Sequence, residues 1–266
     1  MALPKGKKLQ LRRLLRAFAA ANGSAAVPTA SGKALEAWVF MRLAMSARAS
    51  GLWSVTLRQG DGTLLPSGAS FDFATSQAGI RPSDPASPCY ALIEHRLLPD
   101  MIFELHGSLQ WQGRSSATHE VDVSAIPSSV ADALRSIGGG LPRGLPVVAV
   151  ECKDKTTSGT PDEMRQTLAR MFDLVLVTPP PLPTPHCRIY APGTPVTWGD
   201  RSPSYRAFFE RGTFAIARAG SFSSGASHIG AHYFILRCGS IYHTNRAAMS
   251  ELEQSFVQTL NRSHTF

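Results

Sequence analysis

The 266 residues are 43% hydrophobic and only 17% charged, which supports a sizeable buried core and excludes a highly charged disordered chain. A formal net charge of +8 favours anionic partners, nucleic acid ahead of an anionic membrane surface. Cys89, Cys152, Cys187 and Cys238 form no C-x-x-C pair, which argues against structural zinc or a disulfide framework and fits a reduced, cytoplasmic compartment, and no apolar run is long enough to span a membrane.

The chain opens with a basic, leucine-rich segment, residues 4–22, in which Leu11, Leu14, Leu15 and Phe18 recur at helical spacing. Its basic residues, Arg12 and Arg13 among them, read either as the solvated side of a packed helix or as a phosphate-contacting arm. A Gly/Ala/Ser/Pro stretch ends it, and Ser31 is placed to cap a largely apolar helix from Gly32 to Ala47. Glu36 is the only acid in that helix. Trp53–Leu57 reads as a strand. Residues 60–90 are rich in Gly and Pro and read as an insertion with a short strand near Phe71–Phe73. Met101–Trp111 and His119–Ile126 read as two strands of a hairpin, followed by a short helix from Ser128 to Ile137. The apolar run Val147–Val150 predicts a buried central strand, Pro161–Phe172 a helix with proline in its first turn, and Leu174–Val177 another buried strand. Further on, the pattern predicts a helix at Tyr205–Glu210, strands at Thr213–Arg218 and His232–Arg237, and a final helix at Arg246–Asn261.

Chemistry concentrates on two of these strands. Side chains alternate along a strand, so Glu151 and Lys153 share one face while Cys152 points to the other. On the hairpin strand the same rule groups Glu120, Asp122 and Ser124 opposite Val121, Val123 and Ala125. Placing Asp122 beside Glu151 brings together two carboxylates and one ammonium. Mg²⁺ is bound through oxygen ligands, commonly one or two carboxylates plus water and substrate phosphates, and Mn²⁺ can take the same place. A nearby lysine can position an attacking water. Carboxylates without a cation repel, so one of them should have a raised pKa.

Glu36 on a first helix, then His119-Glu120-Val121-Asp122-Val123, then Val150-Glu151-Cys152-Lys153 resembles the PD-(D/E)xK, or restriction-endonuclease-like, nuclease superfamily. The resemblance covers roughly residues 30–180 and implies an α/β fold with a mixed central β-sheet flanked by helices. It implies Asp122, Glu151 and Glu36 as metal ligands, Lys153 as the catalytic lysine, and Gln166 as a further polar residue of the site. Asp100, in Pro99-Asp100, is an alternative first acid, but Asp122 is preferred because it lies within a strand. The implied organisation is a basic arm at 1–30, a nuclease core at 31–181 with an insertion near 60–100, and an extension at 182–266 that completes the core or mediates assembly.

The expected activity is Mg²⁺-dependent hydrolysis of DNA phosphodiesters, with prokaryotic defence or mobile elements as the context by analogy. Lys155, Lys33, Arg12 and Arg13 are candidate nucleic-acid contacts. A non-catalytic nucleic-acid-binding or assembly module on the same fold, and a nuclease directed at RNA, remain alternatives; homodimerisation or a protein partner is open. Other motifs carry less. Ser31-Gly32-Lys33-Ala34 lacks the glycine and hydroxyl residue of a phosphate-binding loop. His228 and His232 have zinc-binding spacing, but Gly230 between them favours a loop entering a strand. His119 reads as a hydrogen-bonded surface histidine.

Overall fold

A computed structural model describes residue 9 and residues 31–66, 69–74, 78–174, 212–241 and 245–263. Expectations for the basic arm, including Arg12 and Arg13, for Val175–Val177 and for the helix at 205–210 lie outside the described residues. The elements are α1 (Ser31–Ala49), β1 (Trp53–Arg58), β2 (Tyr90–His95), β3 (Ile102–Gln112), β4 (Thr118–Pro127), α2 (Ser128–Ser136), β5 (Val148–Lys153), α3 (Pro161–Leu174), β6 (Thr213–Arg218), α4 (Ser224–His232), β7 (Ile235–Cys238), a 3₁₀ turn (Arg246–Met249) and α5 (Ser250–Arg262).

The seven strands form one mixed sheet in chain order. Strands β1 to β5 pair antiparallel, whereas β6 and β7 join parallel to β5. A parallel strand cannot follow its neighbour through a tight turn, and α3 and α4 lie in the two connections. The sheet is covered on both sides. Helices α1 and α5 pack through Val39, Phe40, Leu43, Leu252 and Phe256 onto Ile93, Leu105, Val123, Val150 and Ala217. Helices α2, α3 and α4 bury Leu134, Met164, Met171 and Ala226 against Ile126, Ala149, Phe214 and Ile216. Each fully buried side chain of Val, Leu or Phe size contributes about 1.5–3 kcal/mol. Burial on both faces explains why Val148-Ala149-Val150 is uninterrupted in its apolar character. Strands β6 and β7 and helix α5, from the region read as an extension, belong to this same sheet and core. No helix among the described residues is long and apolar enough to cross a membrane.

Several expectations require correction. Phe71–Phe73 forms no strand; Phe71 is buried in irregular chain, where its ring lies 5.4 Å from that of Phe40. The strand in this region is instead β2, whose short Tyr90–His95 run follows directly on turn-rich sequence. Leu174 is the last residue of α3, not the first of a strand. His228 and His232 both lie on α4, not at the entry to a strand. Gly230 is tolerated there because a Cβ would stand 2.8 Å from Arg237 Cδ, so close packing of α4 on β7 offsets its poor helix propensity.

The simple alternation on β4 also fails. Val123 and Ala125 face α1, but Val121 belongs to the opposite core. Strand β3 reverses in step: Leu105 faces α1, while Leu109 and Trp111 face the other side. The reversal occurs where Ser108, with φ of 50°, lies between the Gly107–Val123 and Leu109–Val121 pairs. A left-handed residue inside a paired strand adds local twist. Glu120, Asp122 and Ser124 consequently do not share one face: Ser124 accepts from Trp111 Nε1 at 3.2 Å in the interior, while Glu120 approaches Lys33 on α1.

Candidate active site

Strands β4 and β5 pair only from Val123–Val150 to Ala125–Val148. Beyond that point β4 stays with β3 and β5 stays with β6, so the two diverge. Asp122 and Glu151 are the next residues on either side of this fork. Asp122 closes it: the Cys152 backbone N–H donates to Asp122 Oδ2 at 2.6 Å, a side-chain bond where the ladder has stopped. Asp122 is 8% exposed, and it is the one carboxylate of the site that has no ion-pair partner among the described residues. Burial, and after it the neighbouring Glu151 and Glu36 charges, push its carboxyl from 3.8 up to about 7.

Glu151 is treated differently. Its Oε1 accepts from Lys153 Nζ, two residues along the same strand face, and its Oε2 accepts from Arg170 on α3. Both ends of the carboxylate are thus held. Cys152 points to the α1 side and packs against that core, and burial pushes its thiol well up. A neutral, inert thiol follows, which excludes Cys152 as a nucleophile.

Helix α1 completes the floor of the site. Glu36 Oε2 accepts from Lys33 Nζ at 2.7 Å and from Ser108 Oγ at 3.1 Å. Lys33 Nζ also lies 2.6 Å from Ser108 Oγ and 3.8 Å from Glu120 Oε1. Burial works against the Lys33 charge, but Glu36, Glu120 and Asp122 more than offset it and its pKa is raised. Burial likewise raises Glu36, with the bonds from Lys33 and Ser108 acting in the opposite sense. The spacing Lys33–Glu36 is one helical turn, so the pair forms locally and the sheet supplies Ser108.

The fork therefore sets Asp122 between two groups, Glu151 with Lys153 and Arg170 on the α3 side and Glu36 with Lys33 on the α1 side. Gln166 is exposed on α3, and it is Arg170, one turn later, that reaches Glu151. Lys155 lies apart, with its side chain 64% exposed and 3.6 Å from Glu163 Oε1. Asp100 is exposed in the β2–β3 turn, far along the sheet from the fork. His119 Nε2 lies 2.6 Å from Asp173 Oδ2, tying the β3–β4 hairpin to the end of α3. Gly113 in that hairpin admits the Asp173 carboxylate, which would stand 1.9 Å from a Cβ. The residues not anticipated from sequence are Arg170 and Ser108. Helical spacing from Gln166 could have indicated the first; nothing local marks the second, since its role depends on the twist in β3.

Among the described residues, no three His, Cys, Asp or Glu side chains converge as a ready-made ion cage. Comparison with family models, with curated proteins and with solved structures found no match.

Proposed function

We propose that this chain is a Mg²⁺-dependent nuclease hydrolysing DNA phosphodiesters, built on a restriction-endonuclease-like core. The observation that carries the reading is Asp122: a buried carboxylate with no ion-pair partner among the described residues, at the fork of β4 and β5, next to Glu151. An unpaired buried carboxylate is costly, and an oxygen-preferring divalent ion offsets that cost directly. The donor set fits such an ion, because the potential ligands at the fork are oxygens, the carboxylates and the Ser108 hydroxyl, and the nearby thiol is held neutral. Asp122 and Glu151 would hold it. When bound, a divalent cation stabilises charge on the phosphate and favours ionisation of a water.

The remaining work falls to the chain's own groups. Water attacks phosphorus and gives up a proton to solvent, the P–O bond to the leaving sugar oxygen breaks with its electron pair, and that oxygen takes a proton from solvent in return. Lys153 Nζ, a three-proton donor already fixed against Glu151, orients the attacking water or a phosphate oxygen. Arg170 holds the other Glu151 oxygen and so fixes the orientation of that carboxylate. The net charge of +8 assists approach of a polyanion.

One observation favours a second reading. Both Glu151 oxygens are taken by cations, as they would be in a binding module that uses this fold without cleaving. Incubating plasmid, linear and single-stranded DNA, with RNA as competitor, separates the readings. Cleavage that needs Mg²⁺ or Mn²⁺ and falls at least about 100-fold in Glu151→Ala and Lys153→Ala supports the nuclease. Salt-dependent binding without cleavage under either cation supports the module.

A further inference from the structure

We propose that Lys33 is a built-in second cation, so that the site takes one divalent ion, at Asp122 and Glu151, and not two. The inference rests on the metal-dependent reading of the fork and adds the number of ions and the residue that sets it. The Lys33 ammonium sits 2.7 Å from Glu36, within reach of Ser108 and 3.8 Å from Glu120, so a cation already stands among the oxygens on the α1 side of Asp122. Its chain is anchored on α1 and its side chain is largely covered, so it is not a mobile surface lysine.

Charge balance points the same way. Among the described residues around Asp122, the ionised carboxylates of Glu36, Glu120, Asp122 and Glu151 stand against Lys33, Lys153 and Arg170, which leaves one negative charge. A single divalent ion turns that into one positive charge, and one phosphodiester then brings the filled site to neutrality. A second divalent ion would place three positive charges in a partly buried pocket, with Lys33 directly against it. The carboxylates also divide accordingly. Glu36 accepts from Lys33 and Ser108, whereas among the described residues Asp122 accepts only from the Cys152 N–H. Lys33 is thus a positioning residue: it holds Glu36 and excludes an ion, while Asp122 receives one.

Counting bound Mn²⁺ by electron paramagnetic resonance tests this on the full chain, with Mn²⁺ alone as the probe. The expected result is one ion per chain in the wild type and in Lys33→Arg, which keeps the charge. Removing the charge in Lys33→Met or Lys33→Gln should open a second, weaker position and raise the count to two. Asp122→Asn should lose the first ion. Two ions on the wild type overturn the inference while leaving the metal-dependent reading intact, and that outcome needs no variant to fold. A count that stays at one in both folded neutral variants also overturns it. A wild type that binds no Mn²⁺ overturns the metal-dependent reading and this inference together.

Discussion

Two carboxylates on adjacent strands are buried to a similar degree and meet opposite fates. Glu104 on β3 is 1% exposed and Asp122 on β4 is 8% exposed. Glu104 accepts from both terminal nitrogens of Arg135, at 2.8 and 2.7 Å, and lies 2.8 Å from His106 Nε2. Burial opposes its charge, but His106 and Arg135 outweigh burial and hold the carboxyl below its ordinary value. Tyr90 packs beneath the Arg135 guanidinium, 4.9 Å from the ring centroid. Asp122 has one backbone N–H among the described residues, and three like charges beside it, Glu151, Glu36 and Glu120. The difference lies in the partner: the same burial gives a carboxyl held below its ordinary value where cations are built in and one pushed above it where they are not.

Arg135→Ala should break the comparison from the structural side with the largest effect. It leaves the buried Glu104 with His106 but without its bidentate guanidinium, and a loss of about 3–5 kcal/mol in unfolding free energy is expected, read by denaturant titration. Asp122→Asn should act in the other direction. It removes a charge that the metal-free fold accommodates poorly, so stability in EDTA should be unchanged or higher by about 1–2 kcal/mol, while Mn²⁺ binding is lost. A destabilisation matching that of Arg135→Ala would sink the contrast.

The pH dependence sharpens it further. The Asp122 carboxyl, raised from 3.8 to about 7, keeps its proton in the folded chain where the unfolded chain has already lost it. Its linked contribution to the metal-free fold therefore falls as pH rises from about 4 to 7, and Asp122→Asn should flatten that decline. Glu104 is lowered from 4.5, so its contribution is complete above 4.5 and disappears as pH falls through its folded value. Melting curves at stepped pH, with EDTA, read both slopes. The smallest effect is expected from Ser108→Ala, which leaves Glu36 its bond from Lys33 and should cost about 1 kcal/mol. A larger loss would mean that the left-handed turn at Ser108, not its hydroxyl, is what the substitution disturbs.

Much of this arrangement is legible in the sequence. Strands β3, β4, β5 and β6 and helices α1, α2 and α3 fall within two or three residues of their expected bounds, because each has a hydrophobic period or a clear terminal signal. Strand β2 and helix α4 were not read, the first for shortness and the second because Gly230 masks it. The Glu151–Lys153 pairing was legible from alternation, and Asp122 from its place on the hairpin. Arg170 was not, since its role depends on how α3 lies across β5.

Sequence by itself determined which groups could share a strand face, that Cys152 would turn away from Glu151, and that the chain would be basic. Those follow from local geometry and composition. Tertiary structure alone decided that Asp122 sits where the strands part and that Val121 and Val123 face opposite cores. It decided too that Lys33 turns inward to Glu36. The reason is that strand divergence, twist at Ser108 and helix placement arise from contacts between segments far apart in the chain, and a carboxylate acquires its poise from which of those segments bring it a cation.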